Sequence, residues 1–392
     1  EPGPEALREA VTALLIATPR YRTYVTARGA GADDRALIEQ VAEEAAKGLR
    51  SDLVVRQLAG VWAEPSTPAQ QAFVTRLQQV SGALLAKAQE DTAGFRWTRY
   101  LPANEVGAEP DEASITGPEA TEAMARRRVG DMVLTSSHDS KRSEDARARL
   151  IAASHLPEDL AALDEAAARM PQAKGVDPRW RWYMVQTALA LHGAEDAGER
   201  VNTHVEKALR EAKQESYWTN PDEAVEGRIA DLGRALLEQW DRDAPAALTR
   251  LLERGQALIL AQLMFKMVMP GFPDVYQGTQ GLFLALTDPD NRRPVPWDAL
   301  AAAGDQGDDI GAVKARWTHR LLALRAQMAD LLHDADTRVQ IDDAGIGLTR
   351  RAGKRQLIAR LDLPGGAAPA DDSAAILDWH GPDGCRVHLR EA

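Results

Sequence analysis

Reactive side chains concentrate in one short stretch of this sequence, Thr135-Ser136-Ser137-His138-Asp139-Ser140-Lys141-Arg142-Ser143-Glu144-Asp145. Hydroxyls, an imidazole, carboxylates and two cations follow one another within a few residues. A Ser-His-Asp relay is the first chemistry these types suggest, and their adjacency argues against it. Neighbours on an extended chain point to alternate faces and cannot pass a proton along a line of hydrogen bonds. A second group is Asp274-Val275-Tyr276-Gln277-Gly278-Thr279, and a third is Asp288-Pro289-Asp290-Asn291-Arg292-Arg293. Tyr276 offers a ring face and a hydroxyl, while Gln277 can both donate and accept. Arg292 and Arg293 can form bidentate pairs with Asp288 or Asp290, which would shape the loop. Nine tryptophans outnumber six tyrosines and five phenylalanines. Their flat faces suit either stacking on sugar rings or ordinary helix packing.

The elements that must position these groups follow from periodicity. Val129-Gly130-Asp131-Met132-Val133-Leu134-Thr135 reads as a buried strand delivering His138 and Asp139 beyond its carboxyl end, where barrels of alternating strands and helices place catalytic groups. A loop histidine with an aspartate capping the next helix accounts for the same residues. Pro270-Gly271-Phe272-Pro273 is a hard stop, and 274–277 reads as another short strand. Tyr21-Arg22-Thr23-Tyr24-Val25 has β-type composition. Helical spacing covers 5–25 before that run, most of 33–90, and then about 119–128, 141–153, 157–169, 180–192, 196–216, 221–240, 245–269 and 308–333. From 335 onward, short alternating runs at 339–341, 345–349, 356–361, 375–379 and 385–389 predict a small antiparallel β domain. Gly365 to Asp372 reads as a mobile loop.

Composition bounds the remaining possibilities. A chain of 392 residues is long enough for about two to three domains. With 47 basic and 59 acidic residues the formal charge is −12, which argues against nucleic-acid binding. One cysteine, Cys385, excludes a disulfide framework and a cysteine-rich metal site. The eight histidines are scattered and Asp288-Pro289-Asp290 lacks the glycine and terminal glutamate of a calcium loop, so neither a metal nor another cofactor is expected. The longest apolar stretch, Ala257 to Met269, carries Gln262 and Lys266 and is too short for a bilayer. No secretory leader pattern opens the sequence, so a cytoplasmic location is expected.

Taken together, the three groups resemble the later motifs of the α-amylase superfamily, whose catalytic barrel cleaves or rearranges α-glucosidic bonds. In that superfamily the His-Asp motif follows barrel strand seven, and Pro-Gly-x-Pro-x-x-Tyr-x-Gly is strand eight. The likeness narrows to the malto-oligosyltrehalose synthases through several further segments in the same order. Pro19-Arg20-Tyr21-Arg22-Thr23-Tyr24 is similar to that family's strand six, and Arg99-Tyr100-Leu101-Pro102-Ala103-Asn104-Glu105-Val106-Gly107 to a stretch of its helical insertion. Tyr183-Met184-Val185-Gln186-Thr187, Lys207-Ala208-Leu209-Arg210-Glu211-Ala212-Lys213 and Trp218-Thr219-Asn220-Pro221 continue it. The resemblance runs from about residue 5 to 333.

It implies a mainly α fold with minor β: a partial (β/α)8 barrel of about strands 6–8, a large helical insertion and the C-terminal antiparallel β domain. The corresponding division is 1–30 (strand-six region), 31–128 (helical insertion), 129–333 (strands seven and eight, with an insertion at about 150–245) and 334–392. It implies retaining intramolecular transglycosylation, turning the reducing-end α-1,4 linkage of a malto-oligosaccharide into an α,α-1,1 linkage through a glycosyl-enzyme. Asp139 and His138 would bind hydroxyls of the sugar at the cleaved bond, and Asp139 would favour the oxocarbenium-like state. Lys141 and Arg142 either act near the aglycone or cap a solvated helix start. Trp218 and Asn220 are either lid and subsite residues or packing residues.

The sequence also departs from that pattern. The nucleophile motif Gly-x-Arg-x-Asp-His and the acid/base glutamate segment belong to strands four and five, and neither is found. Gly227-Arg228-Ile229-Ala230-Asp231 imitates the first but lies in a helical pattern and lacks the histidine. Gln280 stands where the family has an acidic residue, and Gly281-Leu282-Phe283 replaces its Leu-Trp. The expectation is therefore the carboxyl-terminal part of such an enzyme, inactive alone, with Glu1 as a cut edge and the N-terminal half as partner. Three strands cannot close a barrel, so self-association or strand swapping is expected. Another α-glucan hydrolase or transglycosidase, or a non-catalytic glucan-binding or assembly module, accounts for the residues less completely.

Overall fold

Alanine- and leucine-rich segments opened by proline or a capping hydroxyl build most of this molecule. The computed structural model describes residues 2–112, 114–303, 307–333, 335–366 and 375–392. Contacts divide it into two units, Glu1–Gly94 and Phe95–Ala392. The boundaries expected from sequence, near 30, 128 and 333, lie elsewhere.

The first unit is built from the helices Pro4–Ala17, Ala32–Ala46, Leu53–Ala63 and Pro68–Leu85. Thr67 opens the last of these with a capping box: its hydroxyl accepts from the Gln70 amide while Gln70 reaches back to the Thr67 amide. Leu14, Ile38, Val41, Val55 and Trp62 form its core. The β-type run 21–25 is not a strand. Gln78 Oε1 accepts from the Val25 amide (2.8 Å) and from Thr23 Oγ1 (2.9 Å), so a side chain satisfies the backbone that a neighbouring strand would otherwise pair. Trp62 Nε1 donates to Thr23 Oγ1 at 2.9 Å and closes the cluster.

In the second unit the helices Glu144–His155, Pro157–Ala168, Pro178–Leu191, Ala197–Ala212, Glu223–Arg242 and Ala246–Val268 enclose an apolar core that includes Leu150, Trp180, Met184, Leu209 and Leu248. Strand content near the reactive stretch is smaller than its composition suggests. Only Met132–Val133 (β1) and Phe272–Pro273 (β2) are strand, and they pair in parallel, Met132 opposite Phe272. The strand expected at 274–277 thus lies two residues earlier. Asp274 N still donates to Val133 O at 2.8 Å, but the chain then turns, with Thr279 N on Tyr276 O at 2.9 Å and Gly278 at φ +85°. Gly271 permits the pairing: at φ +115°, a Cβ there would lie 2.6 Å from Asp131 O.

The C-terminal sheet has the strands Asp336–Asp342 (β3), Gly345–Ala352 (β4), Arg355–Asp362 (β5), Ala375–His380 (β6) and Arg386–Glu391 (β7). They are all antiparallel, in the order β3-β4-β5-β7-β6. Alternation puts Leu348, Leu357, Ala359, Val387 and Leu389 into one core with Leu260 and Met264 of the long helix and Trp317 and Leu321 of Ile310–Gln327. The helix Gly117–Ala125 packs on β3, where Val339 N donates to Thr121 Oγ1 at 2.9 Å. Most of the loop expected at 365–372 lies outside the described residues. Among those described, no helix is long and apolar enough to cross a membrane, and no group of three or more His, Cys, Asp or Glu could hold a metal.

Candidate active site

The loop from Thr135 to Ser143 leaves β1 and enters the helix at Glu144, three residues later than its periodicity suggested. Ser143 is the reason. Its hydroxyl caps Ala146 N and also accepts from Ala285 N (2.9 Å) while donating to Phe283 O (2.6 Å), so the helix start is tied to the segment after β2. Ahead of it, Ser140 Oγ accepts from Ser137 N (2.9 Å) and Ser137 Oγ from Asp139 N (3.2 Å), which makes 137–140 a tight turn. His138 and Asp139 sit at its exposed tip.

Three neighbours hold that tip. Asn291 Nδ2 donates to the carbonyls of Ser137 (3.2 Å) and His138 (3.1 Å), and Tyr276 Oη donates to Asn291 O at 3.1 Å. The Tyr276 ring meets the His138 imidazole edge-on, with centroids 5.9 Å apart. Burial first, with Asp288 and Asp139 adding to it, pushes the Tyr276 hydroxyl above its ordinary value, so it stays a donor. Behind the tip, Glu105 accepts from two consecutive amides, Lys141 N at 2.6 Å and Arg142 N at 3.1 Å, and pairs with Arg147 Nη1 at 3.2 Å.

The two cations singled out from sequence turn inward. Arg142 is 1% exposed and donates to Asn104 Oδ1 at 3.0 Å, and Lys141, 3% exposed, lies 5.2 Å over the Phe95 ring. They bind the 95–105 segment to the loop rather than opening onto a cleft, because the carbonyls and amide of that segment need buried partners. Gln186 completes the seam, accepting from Leu101 N (2.9 Å) and donating to Thr98 O (3.1 Å).

The third motif differs in detail from its expected pairing. Asp290 is held bidentately by Arg200, both contacts at 2.7 Å, and not by Arg292 or Arg293. Asp288 pairs with Arg292 (2.5 Å) and its carbonyl accepts from Lys207 (2.8 Å), while Arg293 reaches Asp196 at 3.1 Å. The anchors come from the helix Ala197–Ala212 and its start, which local spacing within 288–293 could not reveal. Gln277 is exposed beside the Tyr276 turn. Trp218 and Asn220 lie on a separate turn, closed by Asn220 N on Tyr217 O at 3.1 Å, with Trp218 stacked 5.2 Å from Arg210. The structure thus brings His138, Asp139 and Tyr276 together with Asn291 and Glu105, neither of which stood out in the sequence. The signal for Glu105 was an isolated acid in a proline-containing insertion, and for Asn291 an amide amid charged residues.

Removing the Glu105 carboxylate leaves two amides without their acceptor and Arg147 with only the carbonyls of Arg142 and Thr135. Glu105→Ala is expected to speed hydrogen exchange at Lys141 and Arg142 by about 10- to 100-fold, the worth of charge-assisted hydrogen bonds. Exchange within 146–155 should change far less; uniform acceleration across that helix would show the clamp is not local.

Fold and site together define a mainly helical protein with an exposed His-Asp tip beyond a parallel strand pair and an antiparallel sheet at its C-terminus. Several of the proteins it resembles are maltooligosyl trehalose synthases. Two curated relatives, putative maltooligosyl trehalose synthases of two Mycobacterium tuberculosis strains, are each 34% identical over 235 residues, covering 58% of this chain and 31% of the relative. The chain therefore aligns with about a third of their length. In fold it is similar to the maltooligosyltrehalose synthase of Arthrobacter ramosus, with TM-score 0.77 and 24% identity, over 98% of this chain and 54% of that one. A hypothetical maltooligosyl trehalose synthase of Sulfolobus tokodaii gives TM-score 0.76 and 24% identity, over 97% and 53%. No protein-family model matches the chain.

Proposed function

We propose that these residues form the carboxyl-terminal part of a maltooligosyl trehalose synthase and supply the sugar-holding side of its site. The observation that carries this reading is the His138-Asp139 tip beyond a parallel strand pair, braced by Tyr276 and Asn291. Asp139 presents a carboxylate, and His138 a ring nitrogen, to the hydroxyls of a glucosyl ring at the bond being rearranged. A double displacement also needs a nucleophilic carboxylate and a carboxylic acid about 5–5.5 Å apart. The motifs that carry these in the resembled family are not found in this sequence, and this reading assigns them to the N-terminal half of the same enzyme. The strand pair offers it a surface: Met132, Leu134 and Phe272 are 61%, 51% and 68% exposed. In a partial barrel these apolar residues and the unpaired strand edges are what neighbouring strands, or a second copy of the chain, would cover.

Incubation with maltopentaose tests the reading. The chain alone is expected to leave the number of reducing ends unchanged. Mixed with a polypeptide containing the Gly-x-Arg-x-Asp-His and acid/base segments, it should convert reducing ends to a trehalose terminus, and Asp139→Asn should abolish that conversion. Trehalose ends from the chain alone, or unaltered conversion by Asp139→Asn, would overturn the assignment; net hydrolysis would point to a related glucan hydrolase.

A further inference from the structure

The turn that carries Trp218 is exposed yet firmly held. It follows the helix Ala197–Ala212, which Lys213 ends in the left-handed region at φ +51°. Arg96 caps the open carbonyls there, donating to Ala212 O at 2.6 Å and to Lys213 O at 3.4 Å. Arg179 binds the side chains of Gln214 and Glu215. Ser216 is fully buried: its hydroxyl donates to Glu226 and accepts from Asp222 N at 3.0 Å, which closes the base of the turn. Arg210 also grips Glu226, through Nε at 2.8 Å and Nη2 at 2.9 Å. The same guanidinium lies over the Trp218 ring, 5.2 Å from its centre, and covers one face.

Trp218 nevertheless remains 51% exposed, and Tyr217 beside it 40%. A ring fixed from behind and open in front is pre-organised for a flat partner, because little side-chain freedom is left to lose when one arrives. The surroundings narrow that partner. The helices Ala197–Ala212 and Glu223–Arg242 present no other exposed large apolar residue, so the apolar area is confined to Tyr217 and Trp218 and is too small for a protein interface. Thr219, Asn220, Asp222 and Glu223 are all exposed on the same turn. A nucleobase would bring phosphate, which these two acids and a formal charge of −12 repel. A neutral pyranose meets both conditions: its apolar face stacks on the indole, and Asn220 offers its hydroxyls an amide that donates and accepts. Position adds a further constraint. Lys207, three residues before Arg210 and so about 4.5 Å away along the helix axis, donates to Asp288 O at 2.8 Å. The loop it anchors continues to Asn291, which holds the His138-Asp139 tip. One helix and one loop therefore connect the exposed indole to the tip.

We infer that Trp218, with Asn220 on the same turn, is a stacking site for a glucosyl ring of a malto-oligosaccharide chain, away from the bond that is rearranged. The identity of the sugar rests on the function proposed above. Titration calorimetry of the full chain with maltoheptaose tests the site, with cellohexaose as the β-linked comparison. Saturable binding of maltoheptaose is expected, and Trp218→Ala should weaken it by about tenfold, the worth of one aromatic stacking contact with its buried area. Trp218→Phe keeps a flat face and should fall between the two. Trp297→Ala removes another exposed indole, 60% exposed on a different helix, and should bind as the parent does. Trp218 is exposed, and unchanged melting temperatures would show that the variants fold. Absence of saturation at millimolar maltoheptaose, equal affinity of Trp218→Ala and parent, or equal weakening by Trp297→Ala would overturn the stacking site. Cellohexaose bound as tightly as maltoheptaose would overturn its assignment to an α-glucan. The function proposed above fails separately, by the reducing-end assay with Asp139→Asn.

Discussion

Lys314→Met is expected to destabilise the second unit by about 3–5 kcal/mol, the cost of leaving buried charges without their partner. Lys314 is 0% exposed and its ammonium donates to Glu144 Oε1 at 2.9 Å and to both Asp145 oxygens at 2.8 Å. Lys266 donates to the other Glu144 oxygen at 3.0 Å, so two carboxylates and two ammonium groups form a neutral buried quartet. Burial alone would raise Glu144, but Lys314 and Lys266 outweigh it and hold the carboxyl at about 2. The quartet also sets the reactive loop. Thr135 Oγ1 donates to Glu144, and Phe283 N to Asp145 at 2.7 Å, which ties both chain segments leaving the strand pair to one point. Urea unfolding measures the effect. Adding Asp145→Asn to Lys314→Met should recover part of the loss, because it removes a carboxylate left unpaired. A loss below about 1 kcal/mol would mean that the quartet behaves like surface ion pairs.

The second large effect is acid lability at His204. This ring is buried, 3% exposed, between Tyr183, stacked at 5.8 Å, and Phe95. Its Nε2 lies 2.7 Å from Tyr183 Oη, and its Nδ1 has no partner among the described residues. Burial, then the nearby Arg142, pushes the imidazole down from 6.5 to about 3. Burial also lifts the Tyr183 hydroxyl to about 12, so that it remains the donor to a neutral His204. Between pH 6.5 and 3 the unfolded chain binds a proton at this residue that the folded chain refuses. The stabilising contribution is complete above pH 6.5 and falls by about 1.4 kcal/mol per pH unit below it. From pH 6 to pH 4 that amounts to about 3 kcal/mol. His204→Gln keeps an acceptor for Tyr183 without a titrating ring, so its urea midpoint should fall less steeply over this range. Parallel pH profiles for the two proteins would contradict the assignment. Because Tyr183 and Arg142 connect this ring to the loop after Asp139, acid should loosen the tip together with the helices behind it.

Much of the architecture was legible residue by residue. Alternation in 335–392 located all five strands of the C-terminal sheet, since one face is buried and a slip of one residue would expose it. Helical spacing and proline starts located the long helices, with ends off by a few residues where a cap such as Ser143 decided them. The short strands were misjudged for a definite reason. The apolar run 129–135 and the aromatic run 21–25 have the composition of strands, but a strand exists only where a partner takes its hydrogen bonds. Gln78 satisfies the second run instead, and β2 reaches only Met132 and Val133 of the first.

The candidate site divides in the same way. Motif order singled out His138, Asp139 and Tyr276, which the structure brings near one another, because adjacent residue types and a proline-glycine stop are local properties of a chain. Which charges meet is a long-range property. Arg142 and Lys141 looked like groups for a ligand and instead fasten the 95–105 segment, and Asp290 found Arg200 rather than either arginine beside it. Residue types, turns and periodicity were determined by the sequence by itself. Burial, the pairing of Glu105 with two amides and the charge quartet beneath the loop were decided only by tertiary structure. The physical reason is that a charged side chain takes its role from the nearest partner once water is removed, and that partner lies tens to hundreds of residues away along the chain.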